Sequence, residues 1–312
     1  MTTSAGFVLL NVDVNENKKI YSFSVQDREK LQIQINSSRG RKIDKTLCLN
    51  DLFSFDVIDK SGLRYNFETF FQKYECSIKS NTLSLIEKVK DNDNNIKTEV
   101  FEIFASKFIN FIRNPFSIKK VLNTFSILLN YHPTDPELYN KGVQILKGRK
   151  PQIQYLCQQL EITDDEYMKW LLVIFMLHTN LDKDGPNFLY QSIQSLFENI
   201  ELFTSVMVYS YDDESCLVCD RGYVSPIPEN EHFAFDFNLT SNTFIRYFFG
   251  NIEALSPPNC PREIIELYKA SKKQVNVHHF KNDFETLTKY NQNAVYQCFK
   301  TVFNSQPKCY GL

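Results

Sequence analysis

The sequence predicts an α+β fold: a single, mainly helical domain with an N-terminal β-hairpin and a second small β region near residues 206–240. Two spacing patterns support this class. Apolar and polar residues alternate near the N-terminus and again after residue 206, whereas apolar residues in the middle repeat at the period of a helix. The predicted domain, residues 1–312, has four segments. They are a β-rich segment 1–60, a helical segment 66–204, a strand and loop region 206–260 and a helical segment 262–312.

Two short stretches near the N-terminus predict the β-hairpin. Residues 20–25 and 31–35 largely alternate apolar and polar side chains, which places one face of each strand on a core. The polar residues 26–30 between them suit the connecting turn. A loop rich in Ser, Arg and Gly follows over residues 36–42.

An apolar stripe predicts a long helix that begins near residue 66. The members of the stripe recur at helical spacing and share one face of the helix. They are Phe67, Phe70, Phe71, Tyr74 and Ile78.

A second helix is predicted over residues 100–113. It ends at Asn114-Pro115, because proline disfavours helical geometry in the residue before it. Two later helix starts carry a capping box. In it the threonine hydroxyl accepts a hydrogen bond from the main-chain amide three residues later, and the glutamate at that later position accepts one from the main-chain amide of the threonine. These are Thr134 with Glu137 and Thr163 with Glu166.

The last third of the chain returns to strand patterns before a final helix. Residues 206–209 and 232–237 are apolar or alternating and predict strands. The final helix is predicted to run from about residue 280 to residue 303. There is no internal repeat and no low-complexity linker, which favours one domain.

Composition limits the classes of function. Hydrophobic residues make up 43% and charged residues 23%, as in an ordinary globular protein, and the formal net charge is −2. No global field therefore attracts nucleic acid. The longest apolar run, residues 170–177, is too short to span a bilayer, and the first residues do not resemble a signal peptide. With eight cysteines expected to be reduced, we expect a cytoplasmic location.

Six short motifs are spread along the chain: Gly6-Phe7-Val8-Leu9-Leu10-Asn11, Asn66-Phe67-Glu68, Tyr74-Glu75, Phe111-Ile112-Arg113-Asn114-Pro115, Cys219-Asp220 and Leu255-Ser256-Pro257. In this order and spacing they resemble a bacterial and fungal family, domain of unknown function 4238. The resemblance covers nearly the whole chain, although each motif is only a few residues long. It implies a shortlist of site residues and no reaction.

Two departures from the family pattern bear on function. Thr2-Thr3-Ser4-Ala5 stands where the family has a His-Tyr-Val-Pro motif, and Cys219-Asp220-Arg221-Gly222 keeps only the aspartate of the family's Ser-Asp-Asn-Pro. If the family's histidine takes part in a reaction, this chain lacks that group. The departures favour a binding or inactive member.

The candidate site consists of Glu68, Glu75, Arg113 and Asp220. Seven residues separate the two glutamates, about two helical turns, so they project on one side of the same helix. Neighbouring carboxylates raise one another's pKa, which suits acid/base work, and they can also hold a divalent cation, while the arginine could bind an anionic substrate group. The alternative is a structural network, since a buried charge needs a partner whether or not it is functional.

Weaker candidates lie in the last third of the chain. Cys216 and Cys219 form a C-x-x-C that could bind zinc with downstream cysteines and histidines, but without a second C-x-x-C packing thiols are favoured. His278-His279 could supply a general base, against the alternative of surface histidines. The last four residues, 309–312, formally fit a prenylation motif, but the two middle residues are not aliphatic and chance is favoured.

Two functions are carried forward. The first is an accessory or effector protein of a prokaryotic defence or toxin-type system, which rests on the resemblance. The second is a non-catalytic protein-interaction module whose polar cluster is structural. The sequence leaves the partner and any cofactor unidentified, although a protein partner is plausible, no membrane is expected and the net charge does not indicate nucleic acid. It also leaves open whether the protein is an enzyme.

Overall fold

The computed structural model describes most of the chain. The described residues are 19–42, 52–56, 64–91, 93, 95–131, 133–180, 185–226, 232–271 and 275–312. The first of the six motifs, residues 6–11, lies outside these ranges.

The middle segment begins with an antiparallel pair of helices, α1 (Glu68–Lys90) and α2 (Lys97–Ile112). The predicted apolar stripe lies at the start of α1. The next long helix in the core is α7 (Asp164–His178), most of whose side chains are buried. The remaining helices of this segment are α3 (Ile118–Thr124), α4 (Ser126–Leu129), α5 (Pro136–Lys147), α6 (Ile153–Leu160) and α8 (Phe188–Glu198), with a 3-10 turn at Pro115–Ser117. Those that follow the strands are α9 (Ile252–Leu255), α10 (Arg262–Ala270) and α11 (Phe284–Gln297).

The strands form two larger sheets and one small pair. A four-stranded sheet has the order β10-β6-β9-β8, in which β10 runs parallel to β6 and the other pairs are antiparallel. A second sheet has the order β2-β1-β11-β7, with β3 also paired to β1, and β4 pairs with β5. The strands are β1 (Lys19–Asp27), β2 (Gln32–Ile35), β3 (Arg41–Lys42), β4 (Ser54–Asp56), β5 (Arg64–Asn66), β6 (Leu202–Ser210), β7 (Val218–Cys219), β8 (His232–Thr240), β9 (Thr243–Asn251), β10 (Asn276–Lys281) and β11 (Thr301–Asn304).

The four-stranded sheet separates two hydrophobic cores. Because side chains alternate along a strand, Val206 and Val208 of β6 pack into the helical core, while Tyr209 faces a second core built with α11. There the rings of Phe244 and Tyr290 stack at 4.2 Å between centroids.

The α+β fold class is confirmed, including the N-terminal hairpin and the strands after residue 202. The predicted final helix was too long at both ends. Residues 276–281 form β10, which pairs with β6, and residues 301–304 form β11. Sheet pairing outweighed local preference at both positions.

One of the two predicted capping boxes was misplaced. Thr163 and Glu166 form the predicted box at the start of α7. At the start of α5, however, the cap is Asp135, whose Oδ1 accepts from the Leu138 amide at 2.9 Å. Pro136 occupies the first helical position, which places the cap one residue before it rather than at Thr134.

None of the helices in the described ranges is both long enough and apolar enough to cross a lipid bilayer.

Candidate functional site

Arg113 follows the last residue of α2 and pairs with Glu75 of α1. Arg113 Nη1 lies 2.6 Å from Glu75 Oε1, and Arg113 Nε donates to Asn110 Oδ1 at 3.0 Å. The guanidinium carbon is 5.0 Å from the centre of the Phe71 ring. The arginine side chain is 3% exposed and the glutamate side chain 35% exposed. Among the described residues neither Nη1 nor Nη2 makes an aligned hydrogen bond, so charge attraction in a low-dielectric setting holds the pair.

This ion pair is one end of a buried polar stripe along α2. Near the middle, Ser106 Oγ donates to the Tyr74 carbonyl at 3.3 Å. Near the other end, Glu99 accepts from Lys88 Nζ at 2.6 Å. The buried polar residues of the stripe are Glu99, Ser106, Lys107, Asn110, Arg113 and Asn114. Because the contacts with α1 span most of α2, the stripe fixes the register of the two helices.

Asp220 is a buried carboxylate saturated by main-chain amides. Its Oδ1 accepts from Phe299 N at 2.6 Å, and its Oδ2 accepts from Lys300 N and Thr301 N at 2.7 and 2.8 Å. The residue is 2% exposed, and burial raises the pKa of the carboxyl while the three amides oppose that rise. The carboxylate ties the turn after β7 to the segment that enters β11.

Asn114 joins the end of α2 to this turn. Its Nδ2 donates to the Asp220 carbonyl at 2.8 Å, and its Oδ1 accepts from Phe116 N at 2.9 Å. Two of the sequence motifs, Asn114-Pro115 and Cys219-Asp220, therefore meet through a side chain that also caps the 3-10 turn.

The structure brings together only part of the predicted site. Glu75 and Arg113 form an ion pair, and Asp220 lies beside Asn114 with its carboxylate directed at other groups. Glu68 is in the first turn of α1, about 10 Å along the helix axis from Glu75, and its amide donates to Asn66 Oδ1 at 2.9 Å. The four side chains thus form no common acid/base site, because helix geometry and burial separate them.

The cysteines and histidines singled out in the sequence form no common metal site among the described residues. Cys216 and Cys219 are buried free thiols in the second core, where burial raises the pKa of each thiol. His278 and His279 are on β10. Within the described part of the chain, no three His, Cys, Asp or Glu side chains are grouped to hold a metal ion.

Sequence reasoning missed a serine–histidine pair. Ser210 Oγ lies 2.8 Å from His279 Nε2, across the parallel pairing of β6 with β10. Burial lowers the pKa of His279, with Lys90 and Lys281 adding to the effect, which favours the neutral ring. No third side chain orients the ring among the described residues. His279 lies on the edge strand β10, whereas Ser210 is the last residue of the neighbouring strand β6. A hydrolytic site needs that orienting group and an oxyanion hole.

A buried cross-strand ion pair was also missed. Arg246 of β9 donates through Nε and Nη2 to the two oxygens of Asp236 on β8, at 2.8 and 2.7 Å. Each residue stands alone among apolar neighbours in its strand, and this pattern is the signal that could have revealed the pair. The two residues face each other in the strand register.

An apolar groove of about 480 Å³ lies between α10 and the four-stranded sheet. This groove, called the α10 groove, is lined by Phe203, Phe248, Ile252, Leu255, Ile264 and Tyr268. A Cβ added to Gly250 would lie 2.5 Å from Leu255 Cδ1, so glycine lets this leucine approach the sheet. Leu255 belongs to the sequence motif Leu255-Ser256-Pro257, which therefore forms part of the groove.

The α10 groove has an exposed apolar edge, and its rim carries exposed carboxylates. Ile264 is 55% exposed and Leu267, on the same helix, is 70% exposed. Lys269 Nζ is held 2.7 Å from Glu201 Oε2 and 2.8 Å from Glu253 Oε1. Among the described residues, the charged groups on and beside α10 are four carboxylates and two cations: Glu201, Glu253, Glu263, Glu266, Arg262 and Lys269. Of the carboxylates, Glu263 and Glu266 are exposed on α10 itself, beside the apolar edge.

No protein-family model, no curated protein and no solved structure matches the chain. The resemblance to domain of unknown function 4238 thus remains a prediction that rests on its motifs.

Proposed function

We propose that this protein is a non-catalytic interaction module that docks an amphipathic helix of a partner protein in the α10 groove. The observation that carries the proposal is an apolar groove whose apolar edge is exposed to solvent and whose rim carries the exposed carboxylates of Glu263 and Glu266. The partner helix carries apolar residues on the face that enters the groove and basic residues beside that face.

The geometry of the predicted site supports a structural role for its charges. Asp220 is enclosed and saturated by three amides, and Arg113 is enclosed beside Glu75. A substrate would have to displace these partners to reach either group. In the proposed function both residues brace the fold that presents the groove.

A helix suits the groove better than an extended peptide. The groove edge is α10, whose main-chain groups bond within the helix, so it offers no ladder to an added strand. A docked helix satisfies its own main chain and needs only side-chain contacts. The nine residues of α10 span about 13 Å, which matches two to three turns of a partner helix.

The test measures binding of a short synthetic amphipathic helix of leucine and lysine to the full chain by fluorescence anisotropy. A scrambled peptide of the same composition tests for simple charge attraction. We expect the amphipathic peptide to bind at least about tenfold more tightly, because only it presents a continuous apolar face. Equal binding of the two peptides would overturn the proposal.

Matched variants locate the contact. Ile264→Ser and Glu266→Gln alter the groove edge and its rim, and we expect each to weaken binding, the first by about tenfold. Ile127→Ser and Glu285→Gln change an exposed isoleucine and an exposed glutamate elsewhere, and we expect no change. If the control pair weakens binding as much as the groove pair, the contact lies elsewhere.

The effector function carried from the sequence stays a prediction. It is tested by bacterial growth after induced expression of the wild type and of Glu75→Ala, with soluble protein levels checked. Toxicity that disappears in a soluble, folded Glu75→Ala variant would favour chemistry at that pair over the docking role proposed for this protein.

A further inference from the structure

A second cavity, of about 500 Å³, lies between α2, α8 and the C-terminal end of α10. It is called the α2–α8 cavity and is lined by one face of each long helix. The lining residues that matter most are Lys97, Phe101, Glu102, Tyr190, Glu198 and Thr204. Its volume falls within the range of small-molecule sites.

Aromatic rings form much of the wall. Phe101 of α2 packs edge-to-face against Tyr190 at 4.9 Å and against Phe197 at 5.6 Å between ring centroids. The three rings belong to two helices, so they offer an apolar surface that is fixed from both sides.

One side of the cavity is negative. Glu102 Oε1 accepts from the Tyr190 hydroxyl at 2.8 Å, and Glu198 Oε1 accepts from Gln194 Nε2 at 3.0 Å. Burial raises the pKa of Tyr190 to about 12, with Glu102 adding to the effect, so the phenol stays a donor at neutral pH. In the described part of the chain neither carboxylate forms an ion pair with Lys or Arg, and both can face a cation.

The other end of the cavity carries Lys97 at a helix start. The first turn of α2 lines it with Lys97 and Thr98, and the cap residue Ile96 supplies no side-chain hydrogen bond to the first amides. Glu99 also stands in this turn and its carboxylate accepts from its own amide, so the groups that favour an anion here are the Lys97 ammonium and the amides of Lys97 and Thr98. Lys97 forms no ion pair with the other described residues.

A buried hydroxyl at the cavity wall points independently to a ligand. Thr204 of β6 lines the cavity and is 7% exposed, and its Oγ1 has no hydrogen-bond partner among the described residues. Buried polar atoms of this kind are nearly always satisfied in a native protein, by the protein, by water or by a bound molecule.

We propose that the α2–α8 cavity binds a small zwitterion, a free α-amino acid with an aromatic side chain. Its carboxylate lies at the first turn of α2, its ammonium group faces Glu102, and its ring packs against Phe101 and Phe197. Thr204 Oγ1 contributes a hydrogen bond to the polar end. Tyr268 lines both the α2–α8 cavity and the α10 groove, so the two sites adjoin, but this proposal does not depend on the docking of a partner helix.

The test compares three probes by isothermal titration calorimetry on the full chain: L-phenylalanine, phenethylamine, which lacks the carboxylate, and 3-phenylpropionate, which lacks the ammonium group. We expect L-phenylalanine to bind and each analogue to bind at least about tenfold more weakly, because each leaves one charged partner unpaired. Equal binding of all three probes, tighter binding of either analogue, or no binding of any probe would overturn the proposal.

Variants assign the charges. Glu102→Gln is expected to reduce the affinity for L-phenylalanine about tenfold while leaving 3-phenylpropionate unchanged. Lys97→Gln, at an exposed position, is expected to reduce the affinity for L-phenylalanine while leaving the affinity for phenethylamine unchanged. Glu137→Gln, an exposed glutamate on α5, is the matched control and should bind like the wild type. Wild-type affinity in both Glu102→Gln and Lys97→Gln would sink the assignment.

Discussion

The carboxylates of Asp220 and Glu75 have opposite surroundings although both stand in short sequence motifs. Asp220 is enclosed by three amides, whereas Glu75 faces one guanidinium and keeps about a third of its surface in solvent. The cost of removing a charge depends on what its partner is left with. Arg113 is enclosed on all sides, so the stability of the fold depends more on the surroundings of Arg113 than on those of Glu75.

We expect Arg113→Ala to lower the free energy of unfolding by roughly 2–5 kcal/mol, because it empties buried space beside Phe71 and removes the partner of Glu75 Oε1 and of Asn110 Oδ1. Glu68→Ala, which changes the residue that the structure places apart from this pair, should cost less than about 1 kcal/mol. Urea denaturation of the two variants measures the difference. If Arg113→Ala unfolds at the wild-type midpoint, Arg113 does not brace the fold.

Lys107 predicts a pH dependence of stability. Burial lowers the pKa of Lys107 to about 7, while the unfolded chain titrates near 10.5. Between these values the unfolded state binds more protons, so the contribution of Lys107 to stability rises with pH, by up to about 1.4 kcal/mol per unit. We expect the free energy of unfolding of wild type minus that of Lys107→Met to increase from pH 7 to pH 9. A flat difference in chemical denaturation across this range would contradict the lowered pKa.

At the scale of the elements, a polar N-cap residue stabilises the start of a helix, and α11 is an example. α11 begins at Asp283, whose Oδ1 accepts from Thr286 N at 3.0 Å and whose Oδ2 accepts from Thr286 Oγ1 at 2.8 Å. The helix packs Tyr290 and Leu287 into the second core. The N-cap carboxylate at the surface therefore supports the packing of this helix against the four-stranded sheet.

Asp283→Ala should cost about 1 kcal/mol at pH 7, the usual loss of an N-cap. The hydrogen bonds from Thr286 lower the pKa of the Asp283 carboxyl below its ordinary value of 3.8. The carboxylate thus contributes stability above pH 4 that is lost as the pH falls through the lowered value. Thermal unfolding at pH 7 and at pH 2 should show a difference from wild type that shrinks in acid. A difference that is as large at pH 2 as at pH 7 would show that the charge is not responsible.

At the scale of the whole molecule, the four-stranded sheet divides the interior into two cores with different contents. The helical core holds most of the phenylalanines and the single tryptophan, whereas the second core holds Cys216, Cys219 and Cys298 beside α11. Opening the second core requires the release of α11 and of the Asp220 turn. Its thiols therefore report on that opening.

We expect pulsed alkylation with iodoacetamide, mapped by mass spectrometry, to label the exposed Cys76 first. Cys216 and Cys219 should react at least about 100-fold more slowly, because they are enclosed and burial raises the pKa of their thiols. In denaturant the three rates should converge. Equal rates in native conditions would mean that the second core opens freely.

Local patterns in the chain were sufficient for the fold class and for the starts of several elements. The hairpin near residue 20, the stripe from Phe67 to Ile78 and the capping box at Thr163 all express preferences of neighbouring residues, which act before tertiary contacts form. The motif residues Glu75 and Arg113 did meet, because the two helices that carry them are adjacent and antiparallel.

The remaining features depended on contacts between distant residues. Glu68 and Asp220 lie outside the Glu75–Arg113 pair, β10 replaced the start of the predicted last helix, and the α10 groove joins residues from two strands and two helices. A strand that pairs with a partner some 70 residues away gains hydrogen bonds that local preference does not contain. Spacing along the chain therefore predicted which residues share a helix face, whereas packing determined which charges are enclosed, which are saturated and which surfaces stay open.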